Sequence, residues 1–284
     1  MPVSGYRFCR TDDVALLVAA YNRCYASHVE GVAPMTVEDF KRDVRELDLW
    51  ASSCMIAVAG SEPIGVLLAT KRDHGTLIHR IGVHPQHRRQ GHGRHLLESL
   101  GRKLAILGPP RLLAEIPETW PDALRFFESC GYRPEGTFAD FRWDASRRSP
   151  DVTAPAMPVT LDELVEDGAW DGGIRRSWER SLQTVANLRT QLEGLAVASD
   201  ERIEAWVLVR RPEPGVRELV ALGSARGERA RAVLGILVAH LCGREPSPVV
   251  VPRISSDEVE YGVLESWGFR RTARYIGYAT EAVS

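Results

Sequence analysis

A chain that carries the same pattern twice has to build the same packed unit twice, and this one does. Advancing 137 positions lays Phe127-Glu128-Ser129-Cys130-Gly131-Tyr132-Arg133 on Leu264-Glu265-Ser266-Trp267-Gly268-Phe269-Arg270. The same shift, without a gap, puts Leu96, Leu97, Leu100 and Leu104 on Val233, Leu234, Leu237 and Leu241. A shift of 139 brings Ala57-Val58-Ala59 and Ile64 onto Ala196-Val197-Ala198 and Ile203. What recurs is apolar spacing and a glycine after a helix, so the repeated object is a core. With 284 residues, the chain also exceeds what one core usually supports. The expectation is two domains, 1–144 and 159–284, joined by a linker at 145–158 that is rich in Pro, Ser, Ala and Arg.

The first copy alternates strand and helix signals. Tyr6 to Arg10 reads as an edge strand, and Thr11 as the N-cap of a helix from Asp12 to Ala26. A second helix starts at Thr36, where Thr-x-x-Asp forms a capping signature. Met55–Ala59 and Ile64–Thr70 form a hairpin through Gly60 to Pro63, and Leu77–Val83 is a buried strand stopped by Pro85. Beyond a helix through Leu107 come a strand at Arg111–Ile116 and a helix from Pro121 to Cys130, ended by Gly131. This order predicts an α/β class, a mixed sheet flanked by helices, in each copy. Tyr21, Tyr25 and Trp50 stand where core packing or a pocket wall would both use an aromatic ring.

Between the Leu77 strand and the next helix runs Arg88-Arg89-Gln90-Gly91-His92-Gly93-Arg94. Leu96, Leu97, Leu100, Leu104 and Leu107 recur at three- and four-residue steps, while Arg94, His95, Glu98, Arg102 and Lys103 take the other face. The helix therefore begins near Gly91, where glycine lets backbone approach a ligand and the first N–H groups lack intrahelical partners. Such a start is an anion site, most simply for phosphate. No lysine completes a Walker loop, and Leu96 stands where a dinucleotide fingerprint needs its third glycine.

What the loop does match is Arg-x-x-Gly-x-Gly, at Arg88, Gly91 and Gly93, after a strand ending Ile81-Gly82-Val83. In this it resembles the GNAT superfamily of acyl-CoA-dependent N-acyltransferases, and Ala123 to Tyr132 is similar to that family's final helix-to-strand corner. The resemblance implies two GNAT-like domains in tandem and an acetyl-CoA co-substrate. It implies transfer of the acetyl (acyl) group to a primary amine of a small molecule or peptide. It places the pantetheine and thioester on the backbone of Ile81, Gly82 and Val83. The pyrophosphate falls on Arg88, Arg89, Gln90, Gly91, His92, Gly93 and Arg94. Glu115 matches the strand carboxylate that serves as general base in many relatives, with His79 in the preceding strand as its rival. An attacking amine must lose a proton to act on a thioester, which is why a base is needed.

Two positions depart from the family pattern. Trp120 stands in place of an asparagine, and Phe127 replaces the tyrosine that protonates the departing thiolate, leaving the acid role unassigned. A non-catalytic acyl-CoA sensor, or a scaffold protein, is therefore a rival expectation. The second copy loses more: at the gapless shift Arg88 becomes Ala225, Gly91 becomes Glu228, Gly93 becomes Ala230 and Glu115 becomes Pro252. A carboxylate ~4 Å from a phosphate charge costs about 4 kcal/mol at an effective dielectric near 20, so the second copy is read as degenerate, with Arg226, Arg229 and Arg231 as partial compensation.

Composition excludes little but consistently. A net charge of -2 gives no global pull toward nucleic acid or a membrane surface. Five cysteines without a paired spacing suit reduced thiols, and with no apolar stretch of spanning length the expected setting is cytoplasmic. Six of eight histidines fall between His74 and His95, but no spacing there forms a ligand set, so no metal is expected and the loop histidines are read as added positive charge beside phosphate.

Overall fold

The computed structural model describes residues 4–144 and 155–282. Most of the expected linker, 145–154, lies outside the described residues. The first copy runs β1 (Ser4–Phe8), α1 (Val14–Cys24), α2 (Val37–Leu47), β2 (Met55–Ala59), β3 (Glu62–Arg72), β4 (Gly75–Val83), α3 (His92–Leu107), β5 (Arg111–Pro117), α4 (Pro121–Ser129) and β6 (Arg133–Trp143). The second runs β7 (Met157–Pro158), α5 (Leu161–Glu166), α6 (Leu182–Asn187), β8 (Glu193–Ala198), β9 (Ile203–Glu213), β10 (Val216–Ser224), α7 (Glu228–Gly243), β11 (Val249–Ser255), α8 (Tyr261–Ser266) and β12 (Arg270–Glu281). The fold is the mixed α/β sheet flanked by helices that the strand–helix alternation predicts.

Local chemistry explains most boundaries. Thr36 caps α2 with a reciprocal pair, its hydroxyl accepting from Asp39 N–H at 3.1 Å while Asp39 accepts from Thr36 N–H at 2.9 Å. Thr11 does not cap the first helix. A short 3-10 turn, Thr11–Asp13, precedes α1, and the Asp13 carboxylate accepts from Arg10 N–H at 2.8 Å and from the Arg7 guanidinium at 2.7 Å. Gly131, at φ 87, turns the chain after α4 in a conformation that favours glycine.

Two compact units emerge, and their ends do not follow the order of the repeat. Unit 1 comprises residues to Ile116, Trp120–Glu135 and the chain from Ile276, whereas unit 2 comprises Pro117–Thr119 and Gly136–Tyr275. In unit 1 the strand order is β1-β2-β3-β4-β5, with the 276–281 part of β12 beside β5. In unit 2 it is β7-β8-β9-β10-β11, with β6 beside β11. There β6 pairs antiparallel with β11, Trp143 opposite Val249 and Phe138 opposite Ser255. The units thus exchange the last strands of the two copies. Each unit is closed by the last strand of the other copy, an exchange of equivalent elements of the kind seen in domain swapping.

Each sheet packs helices on both faces. In unit 1, Leu96, Leu97, Leu100 and Leu104 of α3 bury against Met55, Ala57, Leu67, Ile78, Leu112 and Ala114, each leucine contributing roughly 1.5–3 kcal/mol. The opposite face carries α1 and α2 through Leu17, Tyr21, Tyr25 and Phe40 on Ile56, Val66 and Leu68. Tyr21 and Tyr25 therefore belong to the core, stacked at 5.2 Å, while Trp50 is 54% exposed and joins neither. The described cysteines form no disulfide, and burial pushes the Cys9 and Cys54 thiols up to about 12.

The exchanged strand is integral to unit 1. Tyr278 is 2% exposed within the α3 core and donates its hydroxyl to Glu128 Oε1 at 2.8 Å, and Ala282 N–H bonds Pro110 O at 2.6 Å. A chain ended at Asp144 is therefore expected to lack a cooperative melting transition, since it exposes β5 and opens the α3 core. Circular dichroism against temperature checks this, and a sharp transition near that of the whole chain would count against the exchange.

Candidate functional site

Strands β4 and β5 run parallel and pair only from Thr76 with Leu112 to Ile78 with Ala114. Beyond that point they part. One residue later β4 carries an extra residue, for Leu68 of β3 faces Arg80 while Ala69 faces Ile78, which leaves His79 as a bulge. Bulges re-aim side chains and end pairing, and they favour active sites. Residues from His79 to Val83 accordingly lose the burial that Gly75 to Ile78 have. Backbone groups on the β5 side of Ile81–Val83 lie along the gap. Gly82 is set by a second constraint, since a Cβ there would sit 2.7 Å from Cys24 O at the end of α1.

The loop between β4 and α3 is held open by its own backbone. Arg88 donates from Nε to Val83 O at 2.9 Å, Arg89 takes φ 62, and Gly91 takes φ 86 at the N-cap of α3. The first helical hydrogen bond runs from His95 N–H to Gly91 O at 2.9 Å, so the N–H groups of His92, Gly93 and Arg94 have no intrahelical acceptor. A Cβ at Gly93 would lie 3.1 Å from Phe126 Cζ of α4, so any side chain there would press on that ring. These features enclose a cleft of about 520 Å³ lined by Ile81, Gly82, Val83, Arg88, Arg89, Gly91, His92, Gly93 and Arg94. Gln90 does not line it and donates instead to Gln86 O at 3.2 Å. The cleft adds His87, Ala123, Phe126 and Phe127, of which the sequence marks Ala123 and Phe127 only within the helix-to-strand corner and not as lining.

Arg88, Arg89 and Arg94 bring positive charge to the cleft. Arg94 is tied to Ser129 O at 2.9 Å, whereas Arg89 has no ion pair among the described residues. His92 is 7% exposed with Nδ1 2.5 Å from the Tyr6 hydroxyl, and burial, then His87 and His95, hold it below the ordinary histidine range. Burial and the neighbouring Arg23, His28, His87 and Arg88 do the same to His84. At pH 7 these two rings are neutral, which corrects the expectation that they add charge beside phosphate. No group able to hold a metal occurs among the described residues.

The proton-transfer candidates open to the other face. Leu112, Ala114 and Ile116 of β5 are buried toward α3, so alternation turns Glu115 to the side of α1 and α2. His79 faces α2, with Nε2 3.6 Å from Asp43 Oδ2. Trp120 packs in that α1–α2 core beside Tyr25 at 6.4 Å. Phe127 is 1% exposed, edge-on to Tyr132 at 5.0 Å, and supplies no proton. Burial pushes the Tyr132 hydroxyl far up, which makes it a poor acid as well.

Unit 2 repeats the parting strands but fills the gap. There β10 and β11 pair only at Arg217 with Val249 and Glu218 with Val250. Past that point Arg180, 1% exposed, donates from Nη1 to Leu219 O of β10 at 2.8 Å and to Pro252 O of β11 at 3.5 Å, while its Nε meets Glu258 at 3.0 Å. The loop is also shorter, three residues (225–227) against eight (84–91). The gapless correspondence of Gly91 with Glu228 is thus replaced by Gly227, N-cap of α7 at φ 115, and a deletion removes what substitution was expected to spoil.

Residues 50–134 match the family model described as an acetyltransferase (GNAT) domain. A GCN5-related N-acetyltransferase from Sphaerobacter thermophilus superposes with a TM-score of 0.69 at 18% identity, over 99% of this chain and 96% of that one. A tandem GNAT protein from the clavulanic acid biosynthesis pathway does so with a TM-score of 0.68 at 16% identity, over 99% of both. At these identities the likeness to the solved structures is one of fold.

The buried His92 carries a pH signature. Its folded pKa lies below the unfolded value, so its contribution to stability is full above about pH 6.5 and is lost as pH falls further. The melting temperature is expected to drop between pH 7.5 and 5.5, and His92→Gln should shrink that drop. An equal drop in the variant would assign the effect to other groups.

Proposed function

With a GNAT domain in its first half and the tandem GNAT fold throughout, the chain is, we propose, an N-acetyltransferase that carries an acyl group from acetyl-CoA to a primary amine. The observation that carries the reading is the cleft at α3, where three unpaired N–H groups and the arginines of one loop meet the gap between β4 and β5. The fit is chemical: N–H groups at a helix start and guanidinium groups suit a diphosphate, and a strand edge with free backbone groups suits an amide-bearing chain. When bound, the coenzyme supplies the activated thioester. The residues of this chain supply the rest. Ile81 to Val83 align the pantetheine along β4, Arg88 and Arg89 draw the phosphates to α3, and Glu115 takes the proton from the attacking amine on the opposite face.

A second reading, an acyl-CoA sensor without turnover, is favoured by Phe127, since no proton donor faces the departing sulfur from that position. A thiol-release screen across small amines, polyamines, aminoglycosides and peptide N-termini separates the two. Coenzyme binding with no release for any amine would select the sensor.

The catalytic assignment is tested by Glu115→Gln, expected to lower turnover by roughly a hundredfold while leaving coenzyme affinity nearly unchanged. Retained activity there, with loss in His79→Ala, would move the base to His79.

One coenzyme per chain is expected, because the short loop and the Arg180 side chain leave unit 2 neither phosphate cradle nor strand gap. Isothermal titration with acetyl-CoA reads the stoichiometry, and two tight sites would refute the reading of the second copy as degenerate.

Gly91→Glu brings a carboxylate to the phosphate position and should reduce affinity by about a thousandfold. Since Gly91 sits at φ 86, it also costs about 1–2 kcal/mol of stability, more than an exposed helix start alone would suggest. Paired melting and titration measurements check both, and unchanged affinity would place the coenzyme elsewhere.

A further inference from the structure

At the far end of α3 from the cleft, unit 1 exposes three large apolar side chains. Ile106 and Leu107, in the last turn of the helix, are 79% and 67% exposed, and Trp50 is 54% exposed. They share one side of the sheet. Leu49 pairs antiparallel with Thr70 and lies in the α1–α2 core, so alternation along the extended chain turns Trp50 toward the α3 side. Its N–H accordingly bonds the carbonyl of Ala69, a member of the α3 core, at 3.1 Å. Two lysines tie this loop and the end of β3 to the helix. Lys71 donates to Leu107 O at 3.2 Å, and Lys103 donates to Ser52 O, in the 3-10 turn Ala51–Ser53 that follows Trp50. Arg102 and Lys103 precede Ile106 and Leu107 by one helical turn and so stand beside them.

These cations are not neutralised by their neighbours. No carboxylate of the described residues comes within 4.0 Å of Lys71, Arg102 or Lys103. Asp48 gives its carboxylate to Arg72 at 2.7 Å, and Glu98, one turn before Arg102, lies by Arg94 at 3.9 Å. Asp73, in the turn after β3, offsets one of the three cations at most. Burial and then the Lys71 charge hold the Lys103 ammonium below the ordinary lysine range, and an arriving anion would relieve that repulsion. The surplus is local, hidden in a net charge of -2.

We propose that this end of unit 1 docks on an anionic lipid surface. Trp50, Ile106 and Leu107 enter the boundary between headgroups and acyl chains, while Lys71, Arg102 and Lys103 meet lipid phosphates. The side chains crown three chain ends, the loop before Ala51–Ser53, the end of β3 and the last turn of α3, so they project as separate points and wall no groove between them. Projecting points suit a deformable layer, whereas a folded partner needs a surface of matching shape. Over its 16 residues α3 sets the patch about 24 Å from the cleft, which leaves the coenzyme its access. The assignment is independent of the acyltransferase reading, since it uses no residue of the α3 cleft.

The test is flotation of the full chain with vesicles of phosphatidylglycerol and phosphatidylcholine in equal parts, beside vesicles of phosphatidylcholine alone. Binding should be at least about tenfold tighter to the anionic vesicles and should fall as salt rises. Ile106→Gln keeps a good helix former at an exposed position, so it should melt with the wild type and weaken vesicle binding by about tenfold. Trp50→Ala should do the same from the loop. Saturating acetyl-CoA should leave vesicle binding unchanged. Equal binding to both kinds of vesicle, no binding to either, an unaffected Ile106→Gln, or release by acetyl-CoA would each overturn the proposal. So would polyglutamate that binds more tightly than the anionic vesicles and is lost in Ile106→Gln, which would assign the patch to an acidic protein.

Discussion

Two parallel strands that pair over two or three residues and then separate leave backbone donors and acceptors along an open seam, and those groups must be satisfied by something. Both copies of this fold contain that seam, between β4 and β5 and between β10 and β11. What differs is the filler. In unit 1 the seam meets a cleft at the start of α3, rimmed by backbone N–H groups and arginine. In unit 2 a buried guanidinium lies across it, bonded to a carbonyl on each strand and neutralised by Glu258, itself fully buried. One architecture thus yields a receptive site and a sealed one without a change in topology.

Arginine is suited to sealing because its planar fork reaches several carbonyls at once and keeps its charge when buried. Unit 2 uses it twice, at Arg180 in the seam and at Arg217, which gathers the Leu241 and Cys242 carbonyls at the end of α7, where the helix dipole is negative. A buried pair of this kind adds little net stability, but loss of one partner strands the other. The second copy has therefore exchanged backbone available to ligands for side chains that lock strands and helix ends together.

Much of this was legible in the sequence. The α3 leucines, the capping pair at Thr36 and Asp39, strand β2 and the glycine loop follow from spacing and local chemistry, and the loop residues other than Gln90 line one cleft. Other features depend on partners distant in sequence. The bulge at His79 exists only relative to β3, and the crowding at Gly93 depends on Phe126. Neutral histidines required knowledge of burial. The deletion after β10 was hidden because a gapless shift still aligned the helix and corner beyond it. Exchange of β6 and the end of β12 was illegible for a related reason, since in a repeat either strand matches either sheet.

That exchange also orders events during synthesis. Tyr278 bonds Glu128 across 150 residues of sequence, so unit 1 is closed by residues translated after the rest of the second copy. A nascent first copy has its helices and most of its strands but an open sheet edge, and it must stay competent through translation of all of unit 2. Long-range closure of this kind slows folding and prolongs exposure of unpaired strand. The unit that carries the α3 cleft would therefore close after the chain of unit 2 has been made.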